Sequence, residues 1–482
     1  MKFAVYFGNR GFFPGELVAS AIADFKRVLA ANGHEALVME GAGTRYDAVE
    51  TPEEGRRYAD FLAAHRGEYD GVILSLPNFG DENGAVVALR DAGVPILVQA
   101  YPDEPGKMDF SHRRDSVCGK IAMCNVLRQA GIKYTLTTDF AEHPDSPQFE
   151  NDLRNFAAVC RVVKGMRRFN LGAIGARTTA FKTVRVDEIA LQRKGVNVEA
   201  VDLAEVFAIM DSLDSGRAAS MMPPSAVSSK PPYQAAVAAK REKYLAYADF
   251  ASIEEKKIDS MARLGVALDI LIKRFSLDAL AIRCWDELQK RYGIAPCLAM
   301  SVLNEAGLAA ACEMDVNNAV MMRAVALASD SPVGLFDVNN NFGGAEDKAI
   351  MFHCSAIPGS MLCGKGCIGE HLMFRKAYGP GTGIGIFGGE VKPMPLTVGS
   401  FKTEDGRLCA FVTEGEATDD KIEKAFFGTG FVFRKADGDA NAMLNYMAKN
   451  GYRHHVAFVR GSWSAAIVEA FSSYLGYEIE RI

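Results

Sequence analysis

Short apolar runs alternate with amphipathic stretches along the first third of the chain. The runs have no internal polar alternation, which is typical of strands buried on both faces. They lie at residues 2–7, 71–76 and 95–100. Helical periodicity falls between and after them, at 16–32, 52–65, 82–91, 115–130 and 152–167. This strand–helix order predicts a doubly wound parallel sheet, and we place its domain at 1–165.

A second alternating region follows. Its apolar runs predict strands at 169–176, 197–202, 278–284, 333–336 and 349–354, with a long helical period at 235–275. These elements predict a second doubly wound domain over 166–355. The Ser- and Pro-rich stretch 214–232 predicts a surface loop, either over a site or as a plain linker.

The pattern changes again near residue 359, where short strands are separated by glycine turns. These strands are expected at 383–388, 391–402, 407–414, 430–434, 454–459 and 477–480, with helices at 440–450 and 464–475. They predict a smaller β-rich, barrel-like domain over 356–482. The expected fold class is therefore α/β: two doubly wound parallel-sheet domains followed by this C-terminal domain.

Composition narrows the class of protein. The 482 residues are 49% hydrophobic and 24% charged, with a formal net charge of −6, which excludes disorder as the main state. The chain has no run of Lys and Arg and no apolar stretch of about 18 residues, so we expect neither a nucleic-acid nor a membrane partner. Ten cysteines without a CxxC motif and the lack of a signal peptide indicate reduced thiols and a cytoplasmic protein.

Two acids follow predicted strands and are candidates for metal binding. Glu313 comes after the apolar run AGLAAAC, and Asp337 comes after VGLF. Carboxyl ends of strands in an α/β sheet are where ligand sites form, and carboxylates suit Mg²⁺ or Mn²⁺. The alternative is purely structural, because Asp315 is placed to cap the next helix and Asp337 to cap the Asn-rich turn.

Histidines and cysteines offer further candidates. His454 and His455 open a predicted strand, so their side chains should point to opposite faces and at most one should reach an inward site. His353 and Cys354 are adjacent in one strand, which disfavours a cysteine nucleophile. The spacing of His353, Cys354, Cys363 and Cys367 fits no closed zinc pattern.

Polar loops of the N-terminal domain contain the last group of candidate ligand-binding residues. Arg10 follows the first strand, while Lys107 and His112 follow the strand that ends at residue 100. All three should lie at the same edge of the sheet, where they would form a polar rim for a ligand. The alternative is that they form only ordinary ion pairs of solvated loops.

The C-terminal spacing resembles that of the L-fucose isomerase family, and more closely its shorter members and the L-arabinose isomerase-like proteins. Glu313, Asp337 after 24 residues, and His455 within HxAxxxG resemble the three metal ligands of that family. The blocks GNRGFFP, LPNFGDE, YPDEPGKMDF, RRDSVCGKIAMCN and IGARTTAFKTVR strengthen the resemblance, which covers essentially the whole chain.

The resemblance implies a metal-dependent aldose–ketose isomerase, an intramolecular oxidoreductase that acts through a cis-enediolate. It implies Mn²⁺, with Mg²⁺ or Co²⁺ as alternatives, held by Glu313, Asp337 and His455. It also implies that Glu313 and Asp337 transfer the proton. His353 and Asn339 are expected to contact the sugar.

The family resemblance also implies a homo-oligomer, a trimer or hexamer. In such an assembly the N-terminal domain of one subunit covers its neighbour's site, and Arg10, Lys107 and His112 are then expected to bind substrate there. Two other functions stay open at this point. One is a different metal–enediolate reaction, a lyase or transferase, on a phospho- or sulfo-sugar. The other is a non-catalytic sugar-binding protein.

Overall fold

A computed structural model describes residues 1–213, 233–354, 356–422 and 428–482. The chain divides into two compact units. The first comprises residues 1–164 and 469–476, and the second comprises 165–468 and 477–482. The three-domain division expected from the sequence stays a prediction.

The first unit is built on a five-stranded parallel sheet with the strand order β2-β1-β3-β4-β5. Its strands are β1 (Lys2–Phe7), β2 (Glu35–Val38), β3 (Gly71–Leu76), β4 (Ile96–Ala100) and β5 (Thr135–Leu136). Its helices are α1 (Leu17–Ala31), α2 (Pro52–Ala64), α3 (Glu82–Leu89), α4 (Ser116–Gln129) and α5 (Pro147–Met166). Every residue of β3 and β4 is buried, as their unalternated sequences predict.

The second unit begins with a four-stranded parallel sheet in the order β7-β6-β8-β9. The strands are β6 (Phe169–Ile174), β7 (Val196–Val201), β8 (Ala279–Ile282) and β9 (Ala309–Ala311). The helices are α6 (Glu188–Arg193), α7 (Leu203–Ser212), α8 (Tyr233–Tyr247), α9 (Glu255–Phe275), α10 (Glu287–Tyr292), α11 (Cys297–Glu305) and α12 (Val316–Ser329).

A closed antiparallel barrel of six strands completes the second unit. The strands of this region are β10 (Val333–Asn341), β11 (Lys348–His353), β12 (Cys367–Glu370), β13 (Ile384–Gly388), β14 (Met394–Glu404), β15 (Arg407–Ala417), β16 (Thr429–Lys435), β17 (His455–Arg460) and β18 (Glu478–Arg481). The barrel runs β14-β17-β10-β11-β16-β15 and closes by β14–β15 pairing. β18 adds to β15 in parallel, while β12 and β13 pair separately.

The remaining helices are α13 (Leu372–Tyr378), α14 (Ala440–Lys449) and α15 (Ser464–Glu469), the last continued by a π-helical turn, Ala470–Leu475. None of the helices within the described residues is long and apolar enough to cross a membrane. α12 packs against β8 and β9 on one side and against β10, β14 and β17 on the other. This helix is buried almost all round because it lies between the parallel sheet and the barrel.

The predicted α/β fold class is confirmed, but two expectations about its parts are wrong. β10 and β11 belong to the antiparallel barrel and not to the second parallel sheet. Their cores are apolar enough to pass for buried parallel strands, and sequence alone does not reveal the partner strand. The helical period at 235–275 forms two helices, α8 and α9, with a break between them. The loop expected at 214–232 lies outside the described residues.

Candidate active site

Glu313 lies at the carboxyl end of the second parallel sheet, as predicted. It follows β9 after one residue, and both Glu313 and Met314 adopt left-handed backbone conformations, with φ of 58° and 63°. Non-glycine residues adopt this region at a cost of about 1–3 kcal/mol, and such residues cluster at functional sites. The side chain is fixed by Trp285, whose Nε1 donates to Glu313 Oε1 over 3.2 Å.

Asp337 lies within an antiparallel strand and not at the end of a parallel one. It is paired directly with His455 in the register of β10 and β17, which places the two side chains side by side on one face. His455 Nε2 lies 3.4 Å from Asp337 Oδ1 and 3.2 Å from Glu313 Oε2. The structure therefore places both predicted acids beside the His455 imidazole.

Three polar atoms of this triad are buried and lack hydrogen-bond partners. Glu313 Oε2, Asp337 Oδ1 and His455 Nε2 have none among the described residues. Buried polar groups are nearly always paired, so three unpaired atoms at one point call for another partner. Two carboxylates and an imidazole form a donor set that fits a divalent cation of the Mn²⁺ type.

Asp315 holds the histidine of the triad in place. Its Oδ1 caps α12 by accepting from the Asn318 N–H over 3.1 Å, and its Oδ2 lies 2.9 Å from His455 Nδ1. Burial alone raises the pKa of Asp315, but the Arg453 charge and the His455 hydrogen bond outweigh it and lower the pKa to about 2. The His455 Nδ1–H thus donates to a carboxylate, which leaves Nε2 directed to the triad. Asp315 is more than the helix cap that the sequence indicates.

The electrostatics of the site favour positive charge. Burial lowers the pKa of His455, but its hydrogen bond to Asp315 and the neighbouring Glu313 and Asp337 carboxylates raise it well above its usual range. Three acids surrounding one imidazole therefore stabilise a cationic form at this point against the cost of burial.

Two other histidines border the triad. His454 Nε2 lies 3.9 Å from Asp337 Oδ1, although its side chain is 43% exposed. His454 precedes β17, so the alternation of side chains along a strand does not apply to it. The expectation that at most one of the two histidines reaches the site is therefore wrong. His353 is buried, and its ring centroid lies 6.1 Å from that of His455.

Aromatic side chains that the sequence analysis missed line the same region. The Trp285 ring lies 5.3 Å from Phe181 and 5.9 Å from Phe374, and Phe181 lies 6.2 Å from His454. Such rings offer a flat apolar surface beside the polar triad. The signal for Trp285 was its place soon after a buried strand, in a chain with only two tryptophans.

The remaining predicted site residues have local partners. Arg10 donates to Gly80 O over 3.0 Å and to Glu82 Oε1 over 2.8 Å. The other two residues of the expected rim are exposed ion pairs, Lys107–Glu104 at 2.5 Å and His112–Asp109 at 2.7 Å. These residues all belong to the first unit. Their expected role in substrate binding stays a prediction.

Asn339 is an exposed residue within β10, not part of a turn after it. Its Oδ1 accepts from Asn340 Nδ2 over 2.8 Å. The Asn-rich segment that looked like a turn therefore extends the strand, and the proposed turn-capping role of Asp337 is wrong. The role of Asn339 toward substrate stays a prediction.

Sequence comparisons show the family to which this chain belongs. Residues 4–167 match the N-terminal domain of the fucose/sulfoquinovose isomerase family, and residues 351–482 match the L-fucose isomerase C-terminal domain. Sulfoquinovose isomerases from Priestia aryabhattai and Priestia megaterium are each 24% identical over 433 residues, which cover 87% of both chains. The sulfoquinovose isomerase of Alkalicoccus urumqiensis is 22% identical and covers 83% of both chains.

The α/β fold with a C-terminal barrel and these sequence matches together identify an enzyme of the sugar isomerase class. The chain belongs to the fucose isomerase-like family, whose members are intramolecular oxidoreductases.

Proposed function

We propose that this protein is a metal-dependent aldose–ketose isomerase that acts through a cis-enediolate. The observation that carries the proposal is the convergence of three buried, unpaired donor atoms, from Glu313, Asp337 and His455. These residues would hold Mn²⁺, with Mg²⁺ and Co²⁺ as alternatives. The bound ion would act as a Lewis acid toward the carbonyl and hydroxyl oxygens of the sugar.

Glu313 and Asp337 would transfer the substrate proton. One carboxylate would take the proton from C2 of the aldose to give the cis-enediolate, the hydroxyl proton would pass from O2 to O1, and a carboxylic acid would return a proton to C1 to give the ketose. The reverse reaction uses the same groups. Both carboxylates face the same imidazole, at 3.2 Å and 3.4 Å from His455 Nε2, so a sugar bound there would have both acids beside its reacting carbons.

His455 would serve as the third ligand and not as a base. Its Nδ1–H is committed to Asp315, so only Nε2 is directed to the triad. The positioning role falls to Asp315, which is itself held by Arg453 and by the N-terminus of α12. This arrangement fixes the tautomer and the orientation of the imidazole before any ligand binds.

The aromatic residues beside the triad would bind the sugar ring or its open chain. Trp285 both donates to Glu313 and contacts Phe181 and Phe374, so it links the acid to the apolar surface. A sugar with its C–H face against these rings would have its C1 and C2 close to Glu313. Water would be excluded from the same side, which strengthens the electrostatic interactions within the site.

The first substrate to test is sulfoquinovose. The relatives that span 83–87% of the chain carry that activity in their names, although they are only 22–24% identical to this protein. L-Fucose is the second, because of the family match of the C-terminal domain. Phosphorylated sugars are the third, since their phosphate is an anionic group like the sulfonate of sulfoquinovose.

The test is an isomerase screen of purified full-length protein, stripped with chelator and reloaded with Mn²⁺. NMR in deuterated water would follow aldose–ketose interconversion and deuterium entry at C2 for each sugar. We expect one sugar to be interconverted only after metal is added back. Release of a shorter carbon chain would instead indicate a lyase or transferase. Interconversion that persists without metal would contradict the proposal.

We also propose a cytoplasmic homo-oligomer, a trimer or hexamer in which Arg10, Lys107 and His112 reach a neighbouring subunit's site. Sedimentation velocity of the full-length protein, with activity measured on the same fractions, tests the assembly. A fully active monomer would contradict it.

A further inference from the structure

Four of the ten cysteines converge beside the triad. They are Cys284, two residues after β8; Cys297, the first residue of α11; Cys312, directly after β9; and Cys354, directly after β11. The Cys297 and Cys354 Sγ atoms are 4.0 Å apart. Cys312 also interacts with both Cys284 and Cys354. Residues from the parallel sheet and the barrel thus place their thiols in one cluster.

A histidine joins this thiol cluster. His353 Nδ1 lies 3.8 Å from Cys354 Sγ, and the donor atoms of Cys312, His353 and Cys354 all lie within 4.8 Å of one another. All these side chains are buried or partly buried. The cluster is not the one considered from sequence spacing, because Cys363 and Cys367 are both exposed.

Two of the distances within the cluster match those expected of a metal site. Buried thiols often act only as small apolar groups, and then no particular spacing is required. Tetrahedral zinc with Zn–S bonds of about 2.3 Å places its sulfur ligands about 3.8 Å apart, and an imidazole nitrogen slightly closer. The separations of 4.0 Å for Cys297–Cys354 and 3.8 Å for His353–Cys354 are close to the edges of such a tetrahedron.

The ligand chemistry differs from that of the triad. Thiolates with one imidazole select soft or borderline ions, whereas the carboxylate-rich triad suits harder ions such as Mn²⁺ and Mg²⁺. His353 lies between the two groups, because a nitrogen of its ring is also within 4.8 Å of the donor atoms of Asp337 and His455. The two sites are therefore neighbours with opposite preferences.

We propose that Cys297, Cys312, Cys354 and His353 form a second metal site, for a thiophilic divalent ion such as Zn²⁺. The three thiols release their protons to solvent as the ion binds, and no electron is transferred. Cys284 supports the site by its contact with Cys312.

This second ion would tie the parallel sheet to the barrel. Cys312 directly precedes Glu313, and Cys354 follows the barrel strand β11. A bond from each cysteine to a common ion would restrain the β9–α12 connection, in which Glu313 has its left-handed backbone conformation. The proposed role is structural, since all four positions of the ion are occupied by protein.

The test uses Cd²⁺ as the probe, on reduced, metal-free, full-length protein. Thiolate-bound Cd²⁺ absorbs in the ultraviolet, and we expect this band to saturate at one ion per chain. Cys354→Ser should weaken Cd²⁺ binding by at least about 10–100-fold. Metal affinity falls by that much even when the residue lost is only hydrogen-bonded to a ligand. Cys160→Ser is the matched control, because Cys160 is a buried cysteine of the first unit.

Variants of the triad separate the two sites. Glu313→Gln should keep the ultraviolet band, because its side chain is not a ligand of the thiol site. Saturation of the wild type with Mn²⁺ beforehand should likewise leave the band in place. Loss of the band in either case would assign the ion to the triad and overturn the proposal.

Two further outcomes would also overturn it. One is the absence of a band in reduced wild-type protein, and the other is an unchanged band in Cys354→Ser. If circular dichroism shows that Cys354→Ser is unfolded, Cys297→Ser provides the same comparison. The wild-type titration decides the matter even when neither variant folds.

Discussion

Acids with buried oxygens occur in two regions of this molecule, and they are stabilised in different ways. In the first unit, Asp152 accepts three hydrogen bonds, from Thr138 N at 2.6 Å, Thr138 Oγ1 at 2.7 Å and Gln148 Nε2 at 3.1 Å. In the second unit, Glu313 and Asp337 each keep one buried oxygen without a hydrogen-bond partner among the described residues.

The difference shows which of these acids lower the stability of the fold. A buried polar atom without a partner costs about 1–3 kcal/mol, more when it is charged. Asp152 avoids that cost, because its neighbours are donors. Glu313 and Asp337 have instead a shared imidazole and no further donors on their inner oxygens. The first arrangement stabilises a fold, and the second is suited to bind a cation.

The largest expected effect is on turnover. Glu313→Gln and Asp337→Asn each keep a carbonyl oxygen as a ligand but remove the base. We therefore expect each variant to lose at least the ~10²–10⁴-fold that general acid–base catalysis supplies. Metal content, measured on the same samples, should fall much less. Deuterium exchange at C2 of the accepted sugar is the direct measurement.

The matched control for these variants is Asp405→Asn, at an exposed turn position with positive φ that Asn tolerates well. It should turn over at the wild-type rate. Fully metallated Glu313→Gln protein that exchanges at the wild-type rate would make Glu313 a ligand only. The base would then lie elsewhere.

A smaller effect is expected at Asp315, which acts on the site through His455. Asp315→Asn keeps a helix-capping side chain but removes the charge that accepts from His455 Nδ1. Loss of such an outer partner typically lowers metal affinity about 10–100-fold. Calorimetric titration with Mn²⁺ would measure it.

Asp439→Asn separates the two roles of Asp315. Asp439 caps α14 through the Ala442 N–H at 2.7 Å, just as Asp315 caps α12. Equal Mn²⁺ affinities for Asp315→Asn, Asp439→Asn and the wild type would show that Asp315 is only a cap.

The positions of the two acids show how far the sequence could predict this site. The Glu313–Asp337–His455 triad followed from spacing and family resemblance, and the parallel sheets followed from unalternated apolar runs. The strand containing Asp337 was assigned to the wrong sheet, because the sequence of the apolar run VGLF does not indicate which strands pair with it. Only the pairing of β10 with β17 places Asp337 beside His455.

The features of the site that the sequence did not predict depend on contacts between distant segments. The link from Asp315 to His455 spans 140 residues, and that from Cys297 to Cys354 spans 57. Neither has a local signature, because each residue also has an ordinary local reading as a helix cap or a small buried side chain. His454 was misjudged for another reason: the strand begins one residue later than expected.

Unfolding of metal-free protein would compare Asp152 and Asp337 directly. Asp152→Asn should lower the free energy of unfolding by about 2 kcal/mol, because hydrogen bonds to a charged group contribute about 1.5–3 kcal/mol. Asp337→Asn should cost less than about 1 kcal/mol, since three acids share the single imidazole of His455. Urea denaturation in the presence of a chelator measures both values. A larger loss for Asp337→Asn would remove the distinction between the regions.

The last expected effect concerns the pH dependence of the first unit. Burial, with the hydrogen bond that protonated Glu142 donates to Asp152 and the charge of that carboxylate, raises the pKa of Glu142 from 4.5 to about 8. Between these values the folded protein holds a proton that the unfolded chain releases. The free energy of unfolding should therefore fall as pH rises through this window, by at most about 1.4 kcal/mol per pH unit from this group.

Glu142→Gln should flatten that slope, because the amide does not titrate. Urea denaturation of metal-free protein at several pH values between about 5 and 8 would show the variant losing less stability than the wild type toward the upper end. Glu150→Gln is the control, at an exposed position near the start of α5, and should follow the wild type. Lys120, whose pKa burial lowers from 10.5 to about 8, titrates mainly above this window. Parallel curves for Glu142→Gln and the wild type would mean that Glu142 is ionised in the folded protein, and that Asp152 and Glu142 are both held as charges.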